Sequence, residues 1–370
     1  MKFKLLTVVG TRPELIRLSE IIKLFDIKFN HRLVHTNQNY DKNLNDIFFN
    51  QLNIRKPDYI LKNKYNTAVQ FIAKTLDEIE KIIILEKPDV FFILGDTNSC
   101  LSALVAKKYK IPIFHYEAGN RCFDQRVPEE INRKVIDHIS DINLTYSDYA
   151  RQNLIKEGIQ QDRIIKVGGP LKEVFLSNKI KIDKSQILKK LNLQENNYFL
   201  VSYHREENVD DEQKLKKFLF CLNQLSNKYK IKIIISTHPR TEKKLKKIMI
   251  KRNKLLKFEK PFGYYDYIKL QQNSLITISD SGSISEEASI LNFKAISLRN
   301  TMERQEAMET PSVIMSNLEP EYLLRCVEFL IKEKKIRQIY KDYDVNSVSE
   351  KISKIILSYT QYINFEVWKK

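Results

Sequence analysis

Short runs of β-branched and aromatic residues alternate with amphipathic stretches along almost the whole chain, a pattern that predicts parallel α/β architecture. Phe3–Val9 predicts a strand, and apolar positions at helical spacing predict a helix over Pro13–Phe25. Further strands follow at Arg32–Thr36, Val90–Leu94, Ile113–Phe114, Asn143–Tyr146 and Ile164–Val167. They alternate with helices at Thr67–Leu85, Ser99–Tyr109, Glu129–Ile139 and Asp148–Glu157. Gly168-Gly169-Pro170 then breaks the series, because neither helix nor strand passes through it easily. The lysine-rich piece Ser177–Lys190 reads as a solvated connection or short helices.

A second series begins beyond it. Strands are expected at Tyr198–Tyr203, Ile231–Ser236, Leu275–Ser279 and Lys294–Leu298, with helices at Asp211–Asn227, Glu242–Lys251, Tyr265–Gln272 and Ser283–Leu291. The tail from Pro320 is helical, ending in Ser347–Tyr362. The expectation is two Rossmann-like, doubly wound domains with a cleft between them, spanning residues 1–168 and 169–346. A C-terminal helix within 347–370 would pack back on the first domain. A length of 370 residues agrees with two cores rather than one.

Composition changes this picture little. Hydrophobic residues at 42% and charged residues at 29% describe an ordinary globular protein, and no apolar run is long enough for a membrane span. The N-terminal apolar run is short, lacks a small-residue cleavage site and enters Gly10-Thr11-Arg12-Pro13. It reads as a first strand rather than a signal peptide, so a cytoplasmic protein is expected. Cys100, Cys122, Cys221 and Cys326 have no paired spacing and are expected to be reduced thiols. The net charge of +17 raises the question of nucleic acid, but the lysines spread over solvated helical faces. An anionic small molecule is the better-supported partner.

Candidate chemistry collects at the carboxyl ends of the expected strands, where open parallel sheets bind ligands. After the first strand, Thr11 and Glu14 form a capping box and Pro13 suits a first helical turn, but Arg12 is left over as a phosphate contact. Asp96, after Val90–Leu94, reads equally as a helix N-cap or as a carboxylate facing the cleft. Glu117 ends the neighbouring strand, so the two carboxylates would emerge side by side, an arrangement suited to acid–base work. Glu129 begins a helix after Pro128, where the helix dipole favours its ionised form, and could alternatively pair with Arg133. In the second half His204-Arg205 and His238 end strands. Ser281-Gly282-Ser283 offers exposed amides to a diphosphate, with an acidic residue one turn into the helix to reach a ribose hydroxyl. There is no Gly-x-Gly-x-x-Gly or Walker loop, so neither a nicotinamide cofactor nor a P-loop nucleotide is supported.

Together these motifs resemble the non-hydrolysing UDP-N-acetylglucosamine 2-epimerases along nearly the whole chain. The matching residues are Val9–Glu14, Gly95-Asp96-Thr97, Glu117-Ala118-Gly119, Pro128-Glu129-Glu130 with Asn132-Arg133, His204-Arg205, Asp280-Ser281-Gly282, Glu286-Glu287 and Glu303-Arg304. The resemblance implies the two-domain glycosyltransferase-B fold, with UDP held mainly by the C-terminal domain, no metal or redox cofactor, and a homodimer. It implies catalytic roles for Asp96, Glu117 and Glu129, with His204 near the departing diphosphate. Arg12, Ser281 and Gly282 would contact the diphosphate, Glu287 the ribose and Arg304 the nucleotide, with Tyr267 near the uracil. Arg17, Arg121, Arg205, His238 and Ser283 complete the expected substrate-binding set. Arg17 stands where the family usually has lysine, and Ser283 where glycine is usual.

The segment Gly119–Pro128 is shorter and differently composed than in the plain epimerases. It looks like the branch that converts UDP-2-acetamido-2,6-dideoxy-L-talose to UDP-N-acetyl-L-fucosamine, or forms the L-quinovosamine analogue, for capsule or O-antigen polysaccharide. A UDP-N-acetylglucosamine 2-epimerase giving UDP-N-acetylmannosamine is the alternative. A retaining glycosyltransferase of the same fold stands further off.

Overall fold

The computed structural model describes residues 2–38, 48–62, 65–237, 239–245, 248, 252–299, 301–334 and 338–370. The chain divides into two compact units, one formed by Met1–Ser177 with Lys341–Lys370 and the other by Asn178–Tyr340. Among the described residues each unit is built on one parallel sheet.

In the first unit the strands are β1 (Lys4–Val9), β2 (Asn30–His35), β3 (Tyr59–Ile60), β4 (Val90–Leu94), β5 (Ile113–Tyr116), β6 (Ile142–Thr145) and β7 (Ile164–Lys166). Their order across the sheet is β3-β2-β1-β4-β5-β6-β7. The chain thus reverses direction between β1 and β4, the position at which doubly wound sheets open a crevice at their carboxyl edge. The register sets Leu94 beside Tyr116 and Phe114 beside Ile142, so the segments after β4, β5 and β6 leave the sheet next to one another. Helices α1 (Arg12–Lys28), α2 (Ala68–Glu86), α3 (Ala103–Lys108), α4 (Pro128–Ile139) and α5 (Asp148–Lys156) connect the strands. β4 is buried along its length, and its continuous Val-Phe-Phe-Ile-Leu run is what a strand covered on both faces requires.

Helix α6 (Leu171–Asp183) runs into the piece Ser177–Lys190, read as a solvated connection or short helices. Lys179 and Lys181 are exposed, while Leu171, Val174, Phe175 and Ile182 are buried, so the helical stripe is present but sparse. A short helix α7 (Ile187–Lys190) precedes the second sheet.

The second sheet contains β8 (Tyr198–Ser202), β9 (Lys232–Ser236), β10 (Leu256–Glu259), β11 (Ile276–Ser279), β12 (Ala295–Ser297) and β13 (Val313–Met315), ordered β10-β9-β8-β11-β12-β13. Its helices are α8 (Glu206–Val209), α9 (Glu212–Tyr229), α10 (Pro239–Leu245), α11 (Tyr264–Asn273), α12 (Ile284–Leu291) and α13 (Pro320–Lys332). The final helix α14 (Val348–Glu366) packs against α1 in the first unit. No described helix is long and apolar enough to cross a membrane.

Candidate active site

At the carboxyl edge of the first sheet, Glu14 does more than cap its own helix. One carboxylate oxygen accepts from the Gly10 and Thr11 amides (2.8 and 2.6 Å) and the Thr11 hydroxyl (2.9 Å). The other accepts from the Thr97 hydroxyl at 2.9 Å, tying the loop before α1 to the loop after β4. Burial raises the proton affinity of Glu14, and the four donors oppose that shift. Arg12 opens α1 half-buried, with its guanidinium 5.8 Å from the Phe48 ring centre.

Asp96 is not an N-cap. The helical turn that follows it, a 3-10 turn over Asn98–Ser102, is preceded by Thr97 in the cap position. The Asp96 carboxylate instead accepts from the Arg133 Nε at 2.6 Å. Arg133 also donates to Glu130 at 2.9 Å, and Asn132 donates to the Asp96 carbonyl at 2.9 Å. The first turns of α4 therefore clasp the loop carrying Asp96, and Arg133 serves Asp96 and Glu130. Glu129 occupies the first turn of the same helix, half-buried, where the helix dipole favours a carboxylate.

Glu117 leaves β5 with a φ of +70°, a left-handed conformation that costs a non-glycine residue about 1–2 kcal/mol. Such strain persists where the surroundings over-determine it, and here they do. Oε2 of Glu117 accepts from the Tyr146 hydroxyl at 3.0 Å and lies 3.6 Å from Arg17 Nη1, while Oε1 accepts from Asn120 at 3.3 Å. Arg17 is buried, donates to the Tyr146 hydroxyl at 3.3 Å and sits 5.7 Å from its ring centre. Tyr146 and Asn120 are contacts that the sequence reading did not single out. Tyr146 follows β6 as Glu117 follows β5, so the strand-end rule applied one strand further would have found it.

Arg121 corrects an expectation. It is 1% exposed and spends its donors inside the protein: on Glu157 at 2.8 and 2.6 Å, on Asp137 at 2.7 Å and on the Asn120 carbonyl at 2.7 Å. A guanidinium enclosed in this way holds the loop and is no substrate ligand here. Asp137, also buried, takes the Gly119 amide at 3.2 Å and faces His115 Nδ1 at 2.9 Å. His115 reaches the Gly95 carbonyl through Nε2 at 2.8 Å. Burial alone would raise the Asp137 carboxyl, but His115 and Arg121 outweigh it and hold it below the usual carboxylate range. Gly119 has a φ of +81°, and a Cβ there would fall 2.2 Å from the Ala150 carbonyl oxygen. Cys122 donates to Glu130 through Sγ at 3.3 Å and through its amide at 3.2 Å, a packing contact rather than a nucleophile's setting. Burial, the largest cause, pushes its thiol up, as does that bond to Glu130.

The second unit brings its own group together. Asp280, fully buried after β11, accepts from the His204 and Arg205 amides at 3.1 and 2.9 Å and from Asn208 at 3.1 Å. Burial works against its charge, yet these donors and the nearby His204 ring hold its proton affinity below the usual range. This fixes His204 with its imidazole nearly half exposed. Arg205 reaches Glu303 at 3.4 Å, and Glu303 is held bidentate by Arg299 at 2.9 and 2.5 Å. All three side chains converge over Gly282, where a Cβ would meet Glu303 at 3.0 Å and Arg299 at 3.1 Å.

A cleft is lined by Ser281, Gly282, Arg299, Glu303 and Arg304, with Arg304 buried 3.9 Å from Glu286. Ser283 donates to Glu287 at 2.7 Å, and Gln271 donates to the other oxygen of Glu287 at 2.6 Å. Tyr267 packs half-buried beside Tyr198, Leu200 and Leu270, with the hydroxyls of Ser202 and Ser279 serving its phenol. Burial is the main reason its proton affinity is raised. His238 lies outside the described residues. Among the described residues no three His, Cys, Asp or Glu side chains are grouped to hold a metal ion.

Two doubly wound parallel sheets, each with charged side chains gathered at a carboxyl edge, define a two-domain enzyme of the glycosyltransferase-B class. The family model for UDP-N-acetylglucosamine 2-epimerase matches residues 25–357. The solved UDP-N-acetylglucosamine 2-epimerase from Rickettsia bellii is 44% identical with a TM-score of 0.92, covering 100% of both chains. The structure of the Methanocaldococcus jannaschii enzyme in complex with UDP-GlcNAc and UDP is 37% identical with a TM-score of 0.90, covering 96% of this chain and 99% of that one. A UDP-2,3-diacetamido-2,3-dideoxy-D-glucuronate 2-epimerase from Pseudomonas aeruginosa is 34% identical, covering 81% of this chain and 84% of that relative. The chain belongs to the UDP-N-acetylglucosamine 2-epimerase family and is a UDP-sugar 2-epimerase, an isomerase.

Proposed function

We propose that the second unit holds UDP while the carboxylates of the first act on its sugar. The observation that carries this reading is the grouping at the first sheet's edge, where Glu117 is fixed by Arg17, Tyr146 and Asn120, and Asp96, after the neighbouring strand, is fixed by Arg133. One carboxylate takes the proton from carbon 2 of the sugar. The carbon 1–oxygen bond breaks with its electron pair leaving on UDP, and a carbon 1–carbon 2 double bond forms. UDP then adds back at carbon 1 as carbon 2 receives a proton on its opposite face. General-base catalysis lowers the first barrier, and cations beside the diphosphate stabilise the charge that UDP acquires. Arg12 and Arg205 supply that positive field with His204 near the departing diphosphate, Ser281, Gly282 and Ser283 the diphosphate cradle, Glu287 the ribose contact, and Arg304 and Tyr267 further nucleotide contacts.

The substrate in this reading is UDP-2-acetamido-2,6-dideoxy-L-talose, giving UDP-N-acetyl-L-fucosamine, or its L-quinovosamine counterpart, for capsule or O-antigen synthesis by a cytoplasmic homodimer. Its support is the composition of Gly119–Pro128, which places an exposed Phe123 in the segment beside Glu117. A second reading, epimerisation of UDP-N-acetylglucosamine, is favoured by the UDP-GlcNAc and UDP bound in the Methanocaldococcus relative.

The test is incubation in deuterated water with each UDP-sugar, following carbon 2 by NMR. Deuterium at carbon 2 of the 6-deoxy-L-sugar is the expected result. Exchange confined to UDP-N-acetylglucosamine would sink the branch assignment, and no exchange in any sugar would sink the mechanism. Gly282→Ala probes the nucleotide side. Its methyl asks Glu303 to shift by a few tenths of an ångström, so the fold should hold, while UDP affinity measured by calorimetry drops by about tenfold.

A further inference from the structure

Tyr146 links buried Arg17 to Glu117. Its ring is buried, its hydroxyl donates to Glu117 Oε2 at 3.0 Å, and it accepts from Arg17 Nη1 at 3.3 Å. A phenol has one proton, so the direction of this chain is fixed: Arg17 donates to Tyr146, and Tyr146 donates to the carboxylate. A hydroxyl polarised by a buried guanidinium is a stronger donor than one alone. We infer that Tyr146 is a positioning residue for the epimerisation, holding Glu117 ionised and aimed from its left-handed backbone. This rests on the reading that Glu117 transfers the carbon 2 proton.

The groups facing Glu117 are Arg17 from α1, Tyr146 after β6 and Asn120 from the following loop, with Asp96 and its Arg133 at the neighbouring strand end. Arg17 Nη1 lies 3.6 Å from Oε2 and the phenol oxygen 3.0 Å, so the phenol makes the shorter of these two contacts.

Tyr146→Phe keeps the ring and removes the hydroxyl, which makes it the clean variant. The purified full chain is assayed with its UDP-sugar from pH 5 to 9, and Glu117→Gln is assayed beside it. The expected result for Tyr146→Phe is a KM within a few-fold of the parent, a kcat reduced by about tenfold, and an acid limb moved up by about 1–2 pH units. A role in stability alone would lower the active fraction without moving that limb. If Glu117→Gln is inactive and Tyr146→Phe keeps the parent pH profile, this inference fails while the proton-transfer reading stands. If Glu117→Gln keeps near-normal turnover, the proton-transfer reading fails and takes the inference with it.

Discussion

Glu117→Gln is expected to lower turnover by roughly 100- to 10,000-fold, the range a positioned general base supplies. Glutamine keeps the length of the side chain but has no basic oxygen for the proton at carbon 2. UDP binding, measured by calorimetry, should stay within a few-fold of the parent, because the expected nucleotide contacts other than Arg12 lie on the other unit and Glu117 is not among them. Exchange of deuterium into carbon 2 should fall with turnover. Near-normal exchange in this variant would remove Glu117 from the chemistry and transfer its role to Asp96 or Glu129.

Asp137→Ala carries the largest stability effect. It strips one of two carboxylates from buried Arg121, removes the carboxylate facing His115 Nδ1, and leaves the Gly119 amide without its acceptor. Breaking a buried ion pair from one side costs about 3–5 kcal/mol. Urea unfolding should therefore show a clearly lower midpoint with an unchanged slope. The sign with pH follows from the direction of the shift. Because the folded carboxyl lies below the ordinary range, Asp137 stabilises the fold fully above that range, about 3.9, and the contribution is lost as pH falls toward the folded value. The gap between parent and variant should therefore narrow on strong acidification. A parent-like midpoint at neutral pH would show that the network contributes nothing net.

Both sheets were legible in the sequence through their central strands, and much of what was missed lies at their margins. β3, β10 and β13 are edge strands of two to four residues, partly exposed, with too little apolar alternation to stand out. β7, also at an edge, was found because Ile164, Ile165 and Val167 stand together just before the Gly168-Gly169-Pro170 break. The candidate site was legible to the extent that strand-end position dictates it, as for Asp96, Glu117, His204 and Ser281. Which charges point outward was not. Arg121 and Arg17 look alike as arginines near a strand end, yet one is buried among carboxylates and the other lies against a candidate catalytic group. Asp137 in α4 and Glu157 just past α5 capture Arg121 from 16 and 36 residues away, and local sequence does not announce such distant pairing. Glu14 shows the converse, since its capping role was evident while its bond to Thr97 needed two loops brought together.

The first unit is discontinuous, with Lys341–Lys370 returning after the second unit to lay α14 against α1. During synthesis, which proceeds from the N-terminus, Asn178–Tyr340 has every residue it needs before the first unit does. The helix that carries Arg12 and Arg17 thus waits, its α14-facing side uncovered, for a partner made after the second unit. The carboxylate-bearing unit is the one whose folding depends on residues made after the second unit, so products interrupted just beyond Tyr340 would hold a complete second unit and an unfinished first.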